Sequence, residues 1–273
     1  MAQTMAKPLT FDKRPAWILA VVDCLLMIKR SSTHIVRNSD QLFGTFFQPI
    51  MFLVLFSTVF GGAISKALPP DVPYLNFLLA GILVQTLAFG STTTAVAVAN
   101  DLSKNIIDRF RSLPMTNLAV LTGHVISDLL RNSISTAVMI ITGLVLGFRT
   151  DVGVGAWLQI IGLLLLFTLA FSWLAAVVGV LAKSVEGVQT LSFLLVFPLT
   201  FASSAFSPTD SMPKYLKIFA ENQPITQVIE AVRALMLGQP LGNHGWLAVT
   251  GCIITLVVCI PLASYLFKRK TSQ

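Results

Sequence analysis

Long apolar runs alternate with short polar breaks along this chain, and the breaks set its order. Residues 41–64, 74–99, 117–148, 156–182, 187–206 and 246–267 read as six apolar helices. Each has about 20 residues or more, the length needed to cross ~30 Å of hydrocarbon. Pro49 predicts a kink in the first run, and Pro198 interrupts the fifth. Residues 65–73, 148–155 and 183–186 are short turns between runs.

Three stretches break the pattern. Upstream of the first span, the apolar run at 16–28 is too short to cross and carries Asp23. Asp23, Arg30, His34 and Arg37 recur at helical spacing, so residues 15–37 predict an amphipathic helix lying in the interface, with Pro15 in its first turn. The second stretch is residues 100–116, too charged to cross a bilayer and too regular for a plain loop. Ile106, Phe110 and Leu113 share one face of a short helix, and Lys104, Asp108 and Arg111 share the other. Asn100 or Asp101 can cap its start, and Pro114 ends it. Such a helix at a membrane surface is a docking piece. The third stretch is residues 207–245. Ile225, Val228, Ile229, Val232, Leu235 and Met236 form an apolar face there, with Gln227, Glu230 and Arg233 opposite and Gly238 as a C-cap. It predicts a helical hairpin that lies on the membrane or dips in and returns.

The third span is longer than one crossing needs. Its first half carries His124, Asp128 and Arg131 at i, i+4 and i+7. Charges inside a membrane point to function by default. The alternative is that Asp128 and Arg131 neutralise each other and pin neighbouring helices. Gln85 and Thr86, near the middle of the second span, are candidates for a substrate path.

Composition agrees with an all-α integral membrane protein. Of 273 residues, 55% are hydrophobic and 11% charged, where a soluble domain carries about 25% charged residues. The net charge of +7 does not point to nucleic acid, because no basic cluster is interleaved with aromatics. It reflects topology. With six spans, both termini share a side, and that side holds Lys7, Lys13, Arg14, Lys29, Arg30, Arg37, Lys104, Arg109, Arg111, Lys183, Lys268, Arg269 and Lys270. The other side holds only Lys66, Arg149, Lys214, Lys217 and Arg233. The excess of positive charge assigns both termini, residues 1–40 and 268–273, to the cytoplasm. Residues 100–116 then face inward and the 207–245 hairpin outward. Trp246 and Tyr265 mark the two interfaces of the sixth span.

Catalytic chemistry finds little support. The chain has no GxxxxGK[ST], HExxH or GxSxG pattern. Its three histidines, His34, His124 and His244, are scattered, and no base stands near Ser203 or Ser204. Cys24, Cys252 and Cys259 read as small buried side chains, with no metal or disulfide pattern. No small-residue cleavage site follows the first apolar run, so no cleaved leader is expected. With no nucleotide site and no mid-span proton relay, movement of a substrate would need an external motor.

Several stretches carry a family likeness. They are Phe47-Gln48-Pro49-Ile50-Met51-Phe52 with Val59-Phe60-Gly61, then Asp108-Arg109-Phe110-Arg111-Ser112-Leu113-Pro114 with Gly123, Asp128 and Arg131. Leu146-Gly147-Phe148-Arg149 follows. Phe206, Pro208, Met212-Pro213, Asn222-Gln223-Pro224-Ile225-Thr226 and Ala231-Val232-Arg233-Ala234-Leu235 with Gly238 complete the set. From about residue 40 to 267, the chain resembles the membrane subunit of ABC type-2 exporters, in the branch of daunorubicin-resistance and related drug or lipid export permeases. The resemblance implies a transport subunit that is not itself an enzyme and has no cofactor of its own. Two such permeases, identical or related, would pair with two ABC ATP-binding subunits, which bind the ATP. Residues 100–116 would be the coupling helix, with Ile106 and Phe110 in a pocket of the ATPase, Arg109 and Arg111 at its rim, and Lys104 and Asp108 on the polar face. The N-terminal interfacial helix would add a second contact. The chain offers no charged binding pocket, which favours an amphipathic, drug-like or lipid-like substrate, and membrane lipid is an expected partner. A bacterial plasma membrane is the expected location. Two alternatives stay open: export of a polysaccharide or glycolipid in the same superfamily, and a scaffolding membrane protein whose cytoplasmic helix binds some other partner.

Overall fold

The computed structural model describes residues 39–65, 68, 72–103, 117–182 and 184–271. The helix expected over 15–37 and the docking residues Lys104, Ile106, Asp108, Arg109, Phe110 and Arg111 lie outside the described residues. All regular elements among the described residues are helical. Helix α1 (Ser39–Leu55) runs through a π turn (Phe56–Phe60) into α2 (Gly61–Ile64). Then come α3 (Tyr74–Ser103), α4 (Asn117–Val145), α5 (Val154–Leu181) and α6 (Val185–Phe201). A 3-10 turn (Thr209–Ser211) leads to α7 (Lys214–Asn222), α8 (Pro224–Met236) and α9 (His244–Thr271).

Four helices, α3, α4, α5 and α9, are long and apolar enough to cross a membrane. At ~1.5 Å per residue, α5 reaches about 42 Å, well beyond the hydrocarbon thickness. The apolar stretches Phe47–Phe60 and Val185–Phe201 are shorter. The first is part of a longer helical path that carries Pro49 inside α1, where the proline lacks an N–H for the ladder, and passes into the π turn at Phe56–Phe60. There the hydroxyls of Ser57 and Thr58 both donate to Val54 O, at 3.0 and 2.7 Å. Side chains that compete for a backbone carbonyl locally disturb the helical ladder.

Helices α3 and α5 form the centre. Two-thirds (67%) of the apolar window of each is buried, against 22% for α9. They pack along each other, α4, α6 and α8 attach to α3, and α9 lies on α5 and α8. Leu78, Leu79, Ile82, Leu83, Ile160, Phe167, Val228 and Val232 meet in the main core. Gly179 lets α5 come close to α3, since a Cβ there would stand 2.4 Å from Ala95 O. Small residues let helix axes come this near inside a membrane. Cys252 and Cys259 are buried free thiols on α9.

Helix α8 ends at Gly238, whose φ of +65° is the left-handed conformation that suits glycine. Gln239 N donates back to Ala234 O at 2.8 Å, closing the cap. The structure differs from the amphipathic expectation for this helix. Its polar face is covered too, for Gln227 and Arg233 are buried along with the apolar residues. Both are satisfied from within: Gln227 Nε2 donates to Glu221 O, and its Oε1 lies 2.8 Å from His244 Nδ1. The neighbouring α7 instead exposes Tyr215, Ile218 and Phe219. Trp246 and Tyr265 are exposed toward opposite ends of α9, about 28 Å apart at ~1.5 Å per residue.

Candidate functional site

The charged residues of α4 enter two contacts, one at the helix base and one deeper. At the base, His124 Nε2 lies 2.9 Å from Asp101 Oδ2 of α3. This pair joins α3 and α4 just where the chain leaves the first and enters the second, on either side of residues 104–116. It is partly open to solvent, with side-chain exposures of 14% and 10%.

Deeper, Asp128 and Arg131 are 2% and 6% exposed and form an ion pair one turn apart. A charge taken out of water needs a partner and further hydrogen bonds to offset desolvation. Both neighbouring helices supply them. Arg131 Nη2 donates to Gly90 O of α3 at 2.7 Å. Ser172 Oγ of α5 donates to Asp128 Oδ2, as does Asn132 Nδ2 from the next turn of α4 at 3.2 Å. Thr93 Oγ1 of α3 stands 3.4 Å from Asp128 Oδ1. The cluster thus ties α3, α4 and α5 together about 16 Å along α4 at ~1.5 Å per residue. A Cβ at Gly90 would fall 2.1 Å from Asn132 Oδ1, so a larger residue there would have to displace that side chain. Spacing identified Asp128 and Arg131. Ser172, Thr93 and Gly90 carry no local signal, because their roles come only from helix packing.

Gln85 and Thr86 lie inside the chain's own packing. The Thr86 hydroxyl donates to Ile82 O at 2.7 Å. Gln85 is 2% exposed, and neither atom of its amide finds a hydrogen-bond partner among the described residues. One turn further along α3, Ala88, Ser91 and Thr92 face Phe171 and Leu174 of α5 and Ser192 of α6 across a shallow crevice.

At the other end of α3, Arg233 is buried against Phe77. Its Nη2 donates to Ser204 O at 2.6 Å, and Nη1 donates to Glu230 Oε1 at 2.6 Å. Ser203 Oγ donates to Thr200 O, so the serine pair is engaged in holding the α6–α7 connection. Among the described residues no group of three or more His, Cys, Asp or Glu side chains gathers as a metal ion would need.

The profile of the ABC-2 type transporter family matches residues 22–237. The daunorubicin resistance ABC transporter permease protein DrrB1 of Streptomyces coeruleorubidus is 30% identical over 270 residues, covering 97% of this chain and 93% of that one. The probable doxorubicin resistance ABC transporter permease protein DrrC of Mycobacterium tuberculosis is 26% identical over 253 residues, covering 90% and 88%. Nodulation protein J of Rhizobium leguminosarum bv. viciae is 23% identical over 232 residues, covering 84% and 87%.

Proposed function

This chain belongs to the ABC-2 type transporter family as a permease of the drug-resistance type, and from that premise we propose that it is the membrane subunit of an ATP-driven exporter. The observation that carries the reading is the match over nearly the whole of both chains to a daunorubicin resistance permease. A permease without a nucleotide site of its own draws its energy from a separate ATP-binding subunit. Residues 100–116 are the contact for that subunit, with Ile106 and Phe110 as apolar anchors, Arg109 and Arg111 at the rim, and Lys104 and Asp108 on the polar face. The Asp101–His124 pair supports this reading, because it holds together the two helices that such a segment would move.

In this proposal six segments span the membrane, α1 with its π turn and α6 being the two short ones, and both termini face the cytoplasm. Two permease copies enclose the path, and the partners' ATP-driven closure shifts the pair between inward and outward access. The substrate is an amphipathic drug-like molecule taken from the lipid. Gln85 sits one turn from the crevice between α3, α5 and α6. Separation of those helices would bring its amide into the path.

Co-purification from native membranes tests the reading. An ABC ATP-binding subunit is expected in the complex, with ATP hydrolysis stimulated by substrate. Phe110→Ala with Arg111→Ala is expected to abolish that stimulation while the permease stays folded. Recovery of only non-ATPase partners, or unchanged stimulation in the double variant, would sink it.

A further inference from the structure

The last turn of α9 takes hold of the end of α5. Lys270 Nζ donates to Val180 O and to Ala182 O, both at 2.7 Å. These carbonyls belong to the C-terminal end of α5, which stops at Leu181 with Ala182 as its C-cap. The final carbonyls of a helix have no partner within it. A cation placed there can bond them and also meets the negative end of the helix dipole. One ammonium does both, from 90 and 88 positions away in sequence. Basic residues at the end of a span ordinarily serve as anchors in the interface. Lys270 turns back into the protein instead.

The clamp acts on one wall of the crevice between α3, α5 and α6. Val178, in the same turn as the clamped carbonyls, lines that crevice with Phe171, Leu174 and Ala175. Ala182 N donates to Val178 O at 3.1 Å, so a clamped residue is bonded to a lining one. Helix α9 backs this wall from behind. Its Cys259, Ala263 and Phe267 share an apolar cluster with Trp173, Ala176 and Val180 of α5. At 3.6 residues per turn those three stand on a different face of α5 from the residues that line the crevice.

The opposite wall is held by less. Helix α6 begins at Val185, with Ser184 as N-cap, its Oγ accepting from Gly187 N at 3.0 Å. The buried residues of α6 form a single stripe, Val188, Ser192, Val196 and Thr200, about one per turn. Ser192 and Val196 of that stripe line the crevice. A helix seated on one stripe is weakly held against tilting, so its position depends on the point from which it starts. That point is the end of α5.

We propose that Lys270 is a positioning residue: by fixing the end of α5 it sets the start of α6, and with it the width of the crevice at that end. The last turn of the chain is then a working part of the bundle. In the topology proposed above this end faces the cytoplasm, so Lys270 shapes the inward mouth of the crevice. That orientation rests on the export reading, whereas the clamp does not.

The test uses the full chain in phosphatidylcholine–phosphatidylglycerol nanodiscs without the ATPase. Cys24, Cys252 and Cys259 are changed to Ala, and spin labels are attached through Leu130→Cys on α4 and Gln189→Cys on α6, both exposed positions. Double electron–electron resonance gives the distance distribution. Lys270→Met keeps the apolar stem and removes the donors. It is expected to widen that distribution about twofold, as a helix end released from its cap frays, with an unchanged thermal unfolding midpoint. Lys270→Arg keeps donors in reach and is expected to retain the wild-type width. A second label pair, Leu130→Cys with Leu158→Cys near the other end of α5, is expected to stay the same in all variants. An unchanged width between positions 130 and 189 in the methionine variant would overturn the proposal, as would equal widening in the arginine variant. So would a lower midpoint with both label pairs widened, because Lys270 would then hold the whole bundle and not the start of α6. Failure here leaves the export reading standing, since that is decided by recovery of an ATPase and its stimulation. Failure to recover an ATPase leaves the label distances intact.

Discussion

The guanidinium of Arg233 lies over the ring of Phe77, with Cζ 3.5 Å from the centroid, while Nε donates to the backbone carbonyl of that same residue at 3.2 Å. One side chain of α8 thereby locks onto the N-terminal end of α3, 156 positions away in sequence. Its other nitrogens reach Ser204 O and Glu230, so the charge is fully occupied. Arg233→Ala takes this donor from the Ser204 carbonyl and from the Glu230 carboxylate and is expected to destabilise the protein by about 3 kcal/mol, the scale for breaking a buried pair. Arg233→Lys keeps the charge but loses the planar fork and the stacking, so it should recover only part of this. Unfolding in detergent reads both. An alanine variant that unfolds with the wild type would show the contact to be inert.

The Asp128–Arg131 pair makes a different prediction. Each single neutralisation, Asp128→Leu or Arg131→Met, leaves an unpaired charge among α3, α4 and α5. Either is expected to cost about 3–5 kcal/mol. The double variant removes both charges and should be more stable than either single one. A double-mutant cycle on the unfolding midpoint measures this coupling. Additive losses would mean that the two charges do not depend on each other.

Glycine positions on α5 separate close packing from helix propensity. Gly179→Ala places a methyl 2.4 Å from Ala95 O, and overpacking of this kind costs about 1–3 kcal/mol. At Gly162, on the same helix, a Cβ meets nothing within 4 Å. Alanine there should be neutral or stabilising by up to about 1 kcal/mol, from its better helix propensity. Equal effects at the two sites would mean that α3 and α5 are not packed as described.

These residues show where legibility in the sequence ended. Local patterns could be read: the apolar runs, the stripe of His124, Asp128 and Arg131, and Gly238 at a helix end all follow from spacing of a few residues. Arg233 reads in the sequence as a polar-face residue, and the structure buries it. On the helix face it counts as polar and outward, and besides Glu230 on its own helix it is Phe77 and the carbonyl of Ser204, far away in the chain, that make its burial tolerable. Ser172 and Thr93 were silent for the same reason, being ordinary hydroxyls until packing set them beside Asp128. Pro49 is the visible breaker and predicts a kink, whereas the π turn beyond it carries no such signal, its Ser57 and Thr58 hydroxyls bonding back to one carbonyl. Gln85 was legible as a mid-helix polar residue. That its amide lies buried and without a partner among the described residues was not.

The pair at the base of α4 makes a prediction about coupling more than stability. His124 and Asp101 keep only 14% and 10% of their side-chain surface open, so breaking the pair is expected to cost more than the roughly 0.2–1 kcal/mol of a solvent-exposed one and less than the ~3–5 kcal/mol of a fully buried one. A modest fall in the unfolding midpoint should therefore accompany the change in coupling. The pair is a side-chain contact between α3 and α4 at the two ends of residues 104–116. If the ATPase pushes on that segment, a loose base lets the push dissipate within the segment and not reach the helices. His124→Gln and Asp101→Asn are each expected to lower transport per ATP hydrolysed several-fold, while ATPase binding and ATP turnover persist. The exchange of the two residues, Asp101→His with His124→Asp, rebuilds the contact and should restore much of the ratio. Reconstituted proteoliposomes with both subunits measure transport and hydrolysis together. A ratio equal to wild type in both single variants would remove this pair from the coupling route, and a fall in ATPase binding would mean that it shapes the docking surface itself.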